Sequence, residues 1–133
     1  MRRSAEGMLA LGLTYDLILS SPYLRARQTA DIVAQILKPL EAVHLSDTLA
    51  PGGSPRQLLA ALQTEYREWQ EVLLVGHEPY LSRLISTLLT GGPNLSVVMK
   101  KGGLCTLEVE TLRFGRCASL LSLLSPSQLR RLS

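Results

Sequence analysis

Two short runs, Leu17-Ile18-Leu19 and Val72-Leu73-Leu74-Val75, contain no polar residue. Successive strand side chains point to opposite faces, so a strand that is apolar throughout needs cover on both. A proline suited to the first turn of a helix follows each run: Ser21-Pro22 after the first, His77-Glu78-Pro79 after the second. Strand, tight junction and helix, repeated, is the pattern of an α/β fold with a mostly parallel sheet flanked by helices. At 133 residues the chain has room for one domain, residues 1–133, and not for two.

The other elements fit this frame. Residues 3–11 read as the end of a helix, stopped by Gly12. The helix opened by Ser21 as N-cap and Pro22 as first residue carries Ala26, Ala30, Val33 and Leu37 on one face and ends at Pro39. Residues 42–45 suit a second strand. Ser54-Pro55-Arg56-Gln57 supplies a capping box for a helix with Leu58, Leu62, Tyr66 and Trp69 along one side. The helix from Pro79 turns Leu81, Leu84, Ile85 and Leu88 inward, and Gly91-Gly92-Pro93 breaks it. Residues 104–112 and 117–124 read as a hairpin turning near Gly115, and Ser125-Pro126-Ser127-Gln128 caps a last short helix.

Composition excludes several functions. Aromatic residues are 5% of the chain, too few for the stacking platforms that bind single-stranded nucleic acid. A net charge of +3 is too mild to imply nucleic acid, though it suits a protein that handles phosphorylated partners. Arg2-Arg3 and Arg130-Arg131 lie near the chain ends, where solvated basic residues are usual. Cys105 and Cys117 form neither a disulfide framework nor a metal site; they read as free thiols in adjacent apolar segments that could lie near each other. Glu6 interrupts the basic-then-apolar N-terminus, so it is no signal peptide, and no apolar run approaches a membrane span. The expectation is a cytoplasmic protein with no membrane or nucleic-acid partner.

Polar groups at the two strand-to-helix junctions are not required by a buried core. Arg25 falls about one turn into the first helix, and His77 just before the second. Ligands of open α/β sheets collect beyond the carboxyl ends of the strands, where helix N-termini favour phosphate. Arginine matches phosphate oxygens bidentately, and histidine adds a hydrogen bond or a proton. Spacing alone leaves alternatives open. Arg25 also reads as a surface arginine beside Arg27, His77 as a satisfied loop histidine, and Glu78 as a helix cap. Ser21 reads as an N-cap, His44 as structural, and Lys100-Lys101 as candidates to face the same cleft.

The segments Tyr15-Asp16-Leu17-Ile18-Leu19-Ser20-Ser21-Pro22 with Leu24-Arg25-Ala26-Arg27-Gln28-Thr29-Ala30, and Gly76-His77-Glu78-Pro79, resemble two of the three active-site segments of the histidine phosphatase (phosphoglycerate mutase-like) superfamily. Leu49-Ala50-Pro51-Gly52-Gly53 and Lys101-Gly102-Gly103-Leu104 resemble its SixA-like branch of phosphohistidine phosphatases. The resemblance runs from residue 3 onward. It implies a phosphoglycerate mutase-like fold and a metal-free hydrolase without cofactors. In that chemistry a phosphoryl group passes from phosphohistidine, on the phosphotransfer domain of a histidine kinase in signal transduction, to an active-site histidine, and water then releases it. It also implies that Arg25 clamps the phosphoryl group and that His77 binds it and stabilises transition-state charge.

The family's third segment, an Arg-His-Gly or Arg-His-Ala tripeptide closing its first strand, carries the phosphate-accepting histidine. The two histidines of this chain, His44 and His77, stand in no such tripeptide. The resemblance therefore implies an N-terminally truncated domain lacking the first strand, a loop and a helix start, on the order of 25–40 residues. Such a form is expected to be inactive and marginally stable. The alternatives are a non-catalytic phosphate- or phosphoprotein-binding remnant, or a nonfunctional truncated gene product.

Overall fold

The computed structural model describes all 133 residues. Helix α1 (Arg2–Ala10) leads through a turn at Gly12 to strand β1 (Leu17–Ser20), followed by α2 (Leu24–Leu37) and a two-residue β2 (His44–Leu45). A 3₁₀ turn (Asp47–Leu49) precedes α3 (Pro55–Gln63), β3 (Val72–Val75) and α4 (Tyr80–Thr90). Strands β4 (Leu104–Val109) and β5 (Ala118–Leu124) and helix α5 (Pro126–Arg131) complete the chain.

Strands β2, β1 and β3 form a parallel sheet in that order, with Leu17 opposite Val72 and Ser20 opposite Val75. Strands β4 and β5 pair antiparallel as a separate two-stranded sheet with a register shift between Thr106 and Leu107. The architecture is the expected α/β fold, but the parallel part has three strands and the hairpin does not join it.

Alternation in β1 separates two cores. Leu17 and Leu19 pack with Leu58 and Leu59 of α3 and Leu84 and Leu88 of α4. Ile18 points the other way, among Ala5 and Met8 of α1, Ala30, Val33 and Leu37 of α2, and Leu129 of α5. All three β1 side chains are wholly buried, each worth about 1.5–3 kcal/mol of transfer free energy. The central strand thus requires helices on both sides, and the chain supplies them.

Several boundaries differ from the sequence reading. Helix α2 begins at Leu24 with Tyr23, extended, as its N-cap, so Ser21 and Pro22 lie in the junction outside the helix. Ser54 does cap α3 through the Gln57 N–H, but the helix stops at Gln63. Tyr66 and Trp69 reach the same core from the turns beyond it. Strand β2 has two residues rather than four, and β4 ends at Val109 rather than at 112. Cys105 lies opposite Leu123, whereas Cys117 precedes the Ala118–Val109 pair at the far end of the hairpin. The two thiols are therefore not neighbours.

The main departure concerns β3. Its four apolar residues are only half-buried, unlike those of β1. One edge of β3 pairs with β1 and the other with no strand; β4 likewise pairs only with β5. Between β3 and β4 lies a cavity of about 1380 Å³, lined by all of β3, by Leu104–Leu107 of β4, and by α2 and α4 residues.

Candidate active site

The sheet register brings the two junctions together. Ser20 is the last residue of β1 and pairs with Val75, the last of β3. The Ser21 N–H continues the ladder to the Val75 carbonyl at 2.9 Å. Both chains therefore leave the sheet side by side, one into Ser21–Tyr23 and α2, the other into Gly76–Pro79 and α4.

Arg25, the second residue of α2, and His77, between β3 and α4, line the one cavity beside the open edge of β3. Arg25 is exposed and His77 half-buried. The His77 Nε2 lies 2.8 Å from the Ser21 Oγ, and the ring meets Tyr23 edge-on with centroids 5.6 Å apart. The Glu78 carboxylate accepts the Ser82 N–H at 2.8 Å and so caps α4. Lys100 and Lys101 also line the cavity.

Basic side chains outnumber acidic ones around this space: Arg25, Arg67, Lys100 and Lys101 against Glu78 and Glu110, with the Glu78 carboxylate engaged at the helix. The arrangement favours an anion, which Arg25 can grip through two parallel N–H bonds. No group of three or more His, Cys, Asp or Glu side chains is placed to hold a metal ion. No helix is long and apolar enough to cross a membrane.

His44 sits on β2, at the sheet edge away from the cavity, with its ring against Tyr66 at 5.8 Å. Sequence reasoning placed Ser21 as a helix cap and did not single out Tyr23. The structure puts both against His77, and only the β1–β3 register could have shown it.

Solved structures have this architecture. The protein histidine phosphatase SixA complexed with tungstate superposes with a TM-score of 0.79 at 23% identity, covering 96% of this chain and 80% of that one. The chain has the SixA fold. A candidate alpha-ribazole-5'-P phosphatase of Escherichia coli shares the SixA fold at a TM-score of 0.72 and 19% identity, covering 94% of this chain and 80% of that one. A candidate phosphohistidine phosphatase SixA from Agrobacterium tumefaciens does so at 0.62 and 24%, covering 94% and 79%. An uncharacterised protein of Picosynechococcus sp. strain PCC 7002 is 38% identical over 106 residues, 78% of this chain. The chain spans 63% of the length of that relative. No protein-family model matches the chain.

Proposed function

We propose that the chain is a member of the histidine phosphatase superfamily whose cavity holds the phosphoryl group of a phosphohistidine. The observation that carries this reading is that Arg25 and His77, from two adjacent strand-to-helix junctions, line one cavity with a basic excess. Arg25 clamps two phosphoryl oxygens and His77 adds a ring N–H, so charge on the transferring group is met by fixed donors. The substrate is phosphohistidine on the phosphotransfer domain of a cytoplasmic signalling kinase, and the reaction needs no metal or cofactor.

Turnover requires a second histidine to accept the phosphoryl group: the P–N bond of the substrate breaks, a P–N bond to the enzyme forms, and water cleaves it. His44 does not line the cavity, and His77 is committed to Ser21. The accepting histidine belongs on a further strand, and the apolar space between the unpaired edges of β3 and β4 suits one. The 133 residues are accordingly a histidine phosphatase domain able to hold phosphate and, with no second histidine lining the cavity, unable to turn over. Loss of a covalent nucleophile costs around 10⁶ in rate elsewhere.

Two experiments test this. Phosphate or tungstate titration followed by NMR should shift residues 20–25 and 76–80, and shifts confined elsewhere would refute the site. Purified residues 1–133 should not dephosphorylate a phosphorylated phosphotransfer domain. Turnover that disappears in His77→Ala would refute the assignment of the accepting histidine. The reading frame upstream of Met1 separates the alternatives. A strand ending in Arg-His-Gly or Arg-His-Ala supports an active full-length enzyme, and an immediate stop codon supports a non-catalytic binding remnant.

A further inference from the structure

We propose that Ser21 is a positioning residue that fixes the proton of the neutral His77 ring on Nδ1, leaving Nδ1–H as the donor offered to an oxyanion in the cavity. The proposal rests on the phosphoryl-site reading, although the ring tautomer itself is measurable without any anion.

Hydrogen-bond accounting at Ser21 selects the tautomer. A serine hydroxyl has one O–H to donate and two lone pairs to accept with. The Tyr23 N–H takes one lone pair at 3.2 Å. The only other partner of the Ser21 Oγ is the His77 Nε2, at 2.8 Å. Ser21 is wholly buried, so bulk water does not reach the hydroxyl. If Nε2 carried the proton, it would donate to Oγ and the Ser21 O–H would be left buried without an acceptor. If Nε2 is bare, the Ser21 O–H donates to it and both groups are satisfied. The neutral ring then carries its proton on Nδ1, which has no partner within the protein.

The bond is also held in place. The Ser21 N–H is tied to the Val75 carbonyl at 2.9 Å. Tyr23 meets the His77 ring at an interplanar angle of 68° and limits its rotation. Histidines whose second nitrogen contacts a fixed protein group are set in tautomer and direction in this way. Ser20, equally buried, bonds only to the neighbouring carbonyl and provides the control.

The test uses the full 133-residue chain labelled with ¹⁵N in histidine. Long-range ¹H–¹⁵N correlation at about pH 8.5, above the ordinary histidine range, reports which nitrogen carries the proton. Wild type should show Nδ1–H. Ser21→Ala should move His77 toward the Nε2–H form that prevails for an imidazole in water, and Ser21→Thr, which keeps the hydroxyl, should restore Nδ1–H. Ser20→Ala should change nothing. Inorganic phosphate should bind Ser21→Ala about tenfold more weakly, the scale of one charge-assisted hydrogen bond. If Ser21→Ala fails to fold, the wild-type tautomer alone decides the matter. Phosphate binding with His77 in the Nε2–H form overturns this inference and spares the phosphoryl site. An Nδ1–H ring in a chain that binds no phosphate overturns the phosphoryl-site reading and, with it, the positioning role.

Discussion

Asp16 fastens the start of β3 to the start of β1 through Glu71. Its Oδ2 accepts the Glu71 N–H at 2.9 Å and the Gln70 N–H at 3.0 Å, while its own N–H donates to the Glu71 carbonyl at 2.7 Å. The pair sets the register that carries Ser21 and His77 to the same place one strand length later. Asp16→Ala should cost about 1.5–3 kcal/mol, the range for hydrogen bonds to a charged group, read as a lower urea midpoint at unchanged slope. Asp16→Asn, which keeps an acceptor, should cost less.

Gly7 of α1 lies directly against the backbone of α5 at Leu129, where a side chain on residue 7 would overlap the Leu129 carbonyl. Because the obstacle is backbone, it cannot rotate away. Gly7→Ala should destabilise by about 1–3 kcal/mol, the scale of an overpacked core. The expected signature in hydrogen exchange is faster loss of protection in α5 than in α2.

The wholly buried Ser86 joins α4 to the loop beyond it, donating to the Gly92 carbonyl at 2.6 Å and accepting the Leu95 N–H at 2.8 Å. Ser86→Ala leaves the Leu95 N–H without a partner, while the Gly92 carbonyl keeps the Thr90 hydroxyl at 3.0 Å, and should cost about 1–3 kcal/mol in a denaturant melt. Ser86→Cys, with a weaker donor, should fall between the two.

Burial pushes the Tyr80 hydroxyl up to about 12. Tyr15 is raised to about 12 by burial first and by the Glu71 carboxylate second. A folded value above the unfolded one means that the unfolded chain ionises first as pH rises. Stability should therefore hold up to about pH 10, the ordinary tyrosine value, and fall from there through about 12. Absorbance titration should show tyrosines ionising late in the folded chain, and denaturation midpoints should fall over the same interval.

The unpaired edges of β3 and β4 leave backbone groups and apolar side chains at the surface of a wide cavity. Edges of this kind recruit other strands. Residues 1–133 should be marginally stable and aggregation-prone, and an added strand filling the space should raise stability sharply. A monodisperse preparation unfolding cooperatively above about 60 °C would contradict this.

Local chemistry made much of this protein legible. The apolar runs marked β1 and β3; the face Ala26, Ala30, Val33, Leu37 is buried as its spacing required, as are Leu84, Ile85 and Leu88, while Leu81 of that face is only half-buried. Ser54 and Ser125 cap the helices that their sequences announced. Where sequence reasoning failed, a non-local contact won. The serine of Ser21-Pro22 has the credentials of a cap, but α2 begins at Leu24 with Tyr23 as its N-cap, and the Ser21 hydroxyl bonds the Tyr23 N–H and His77, 56 residues away. An N-cap pattern cannot register a partner that distant.

The sequence by itself determined the element types, the need for helices on both sides of β1, and the presence of an arginine and a histidine at strand ends, because periodicity and junction residues are properties of short windows. Only the tertiary structure decided that Arg25 and His77 share a cavity, that Ser21 and Tyr23 hold the His77 ring, and that β3 has one open edge. Those facts depend on which strand lies beside which and in what register, and parallel pairing is set by crossovers whose ends no local pattern connects.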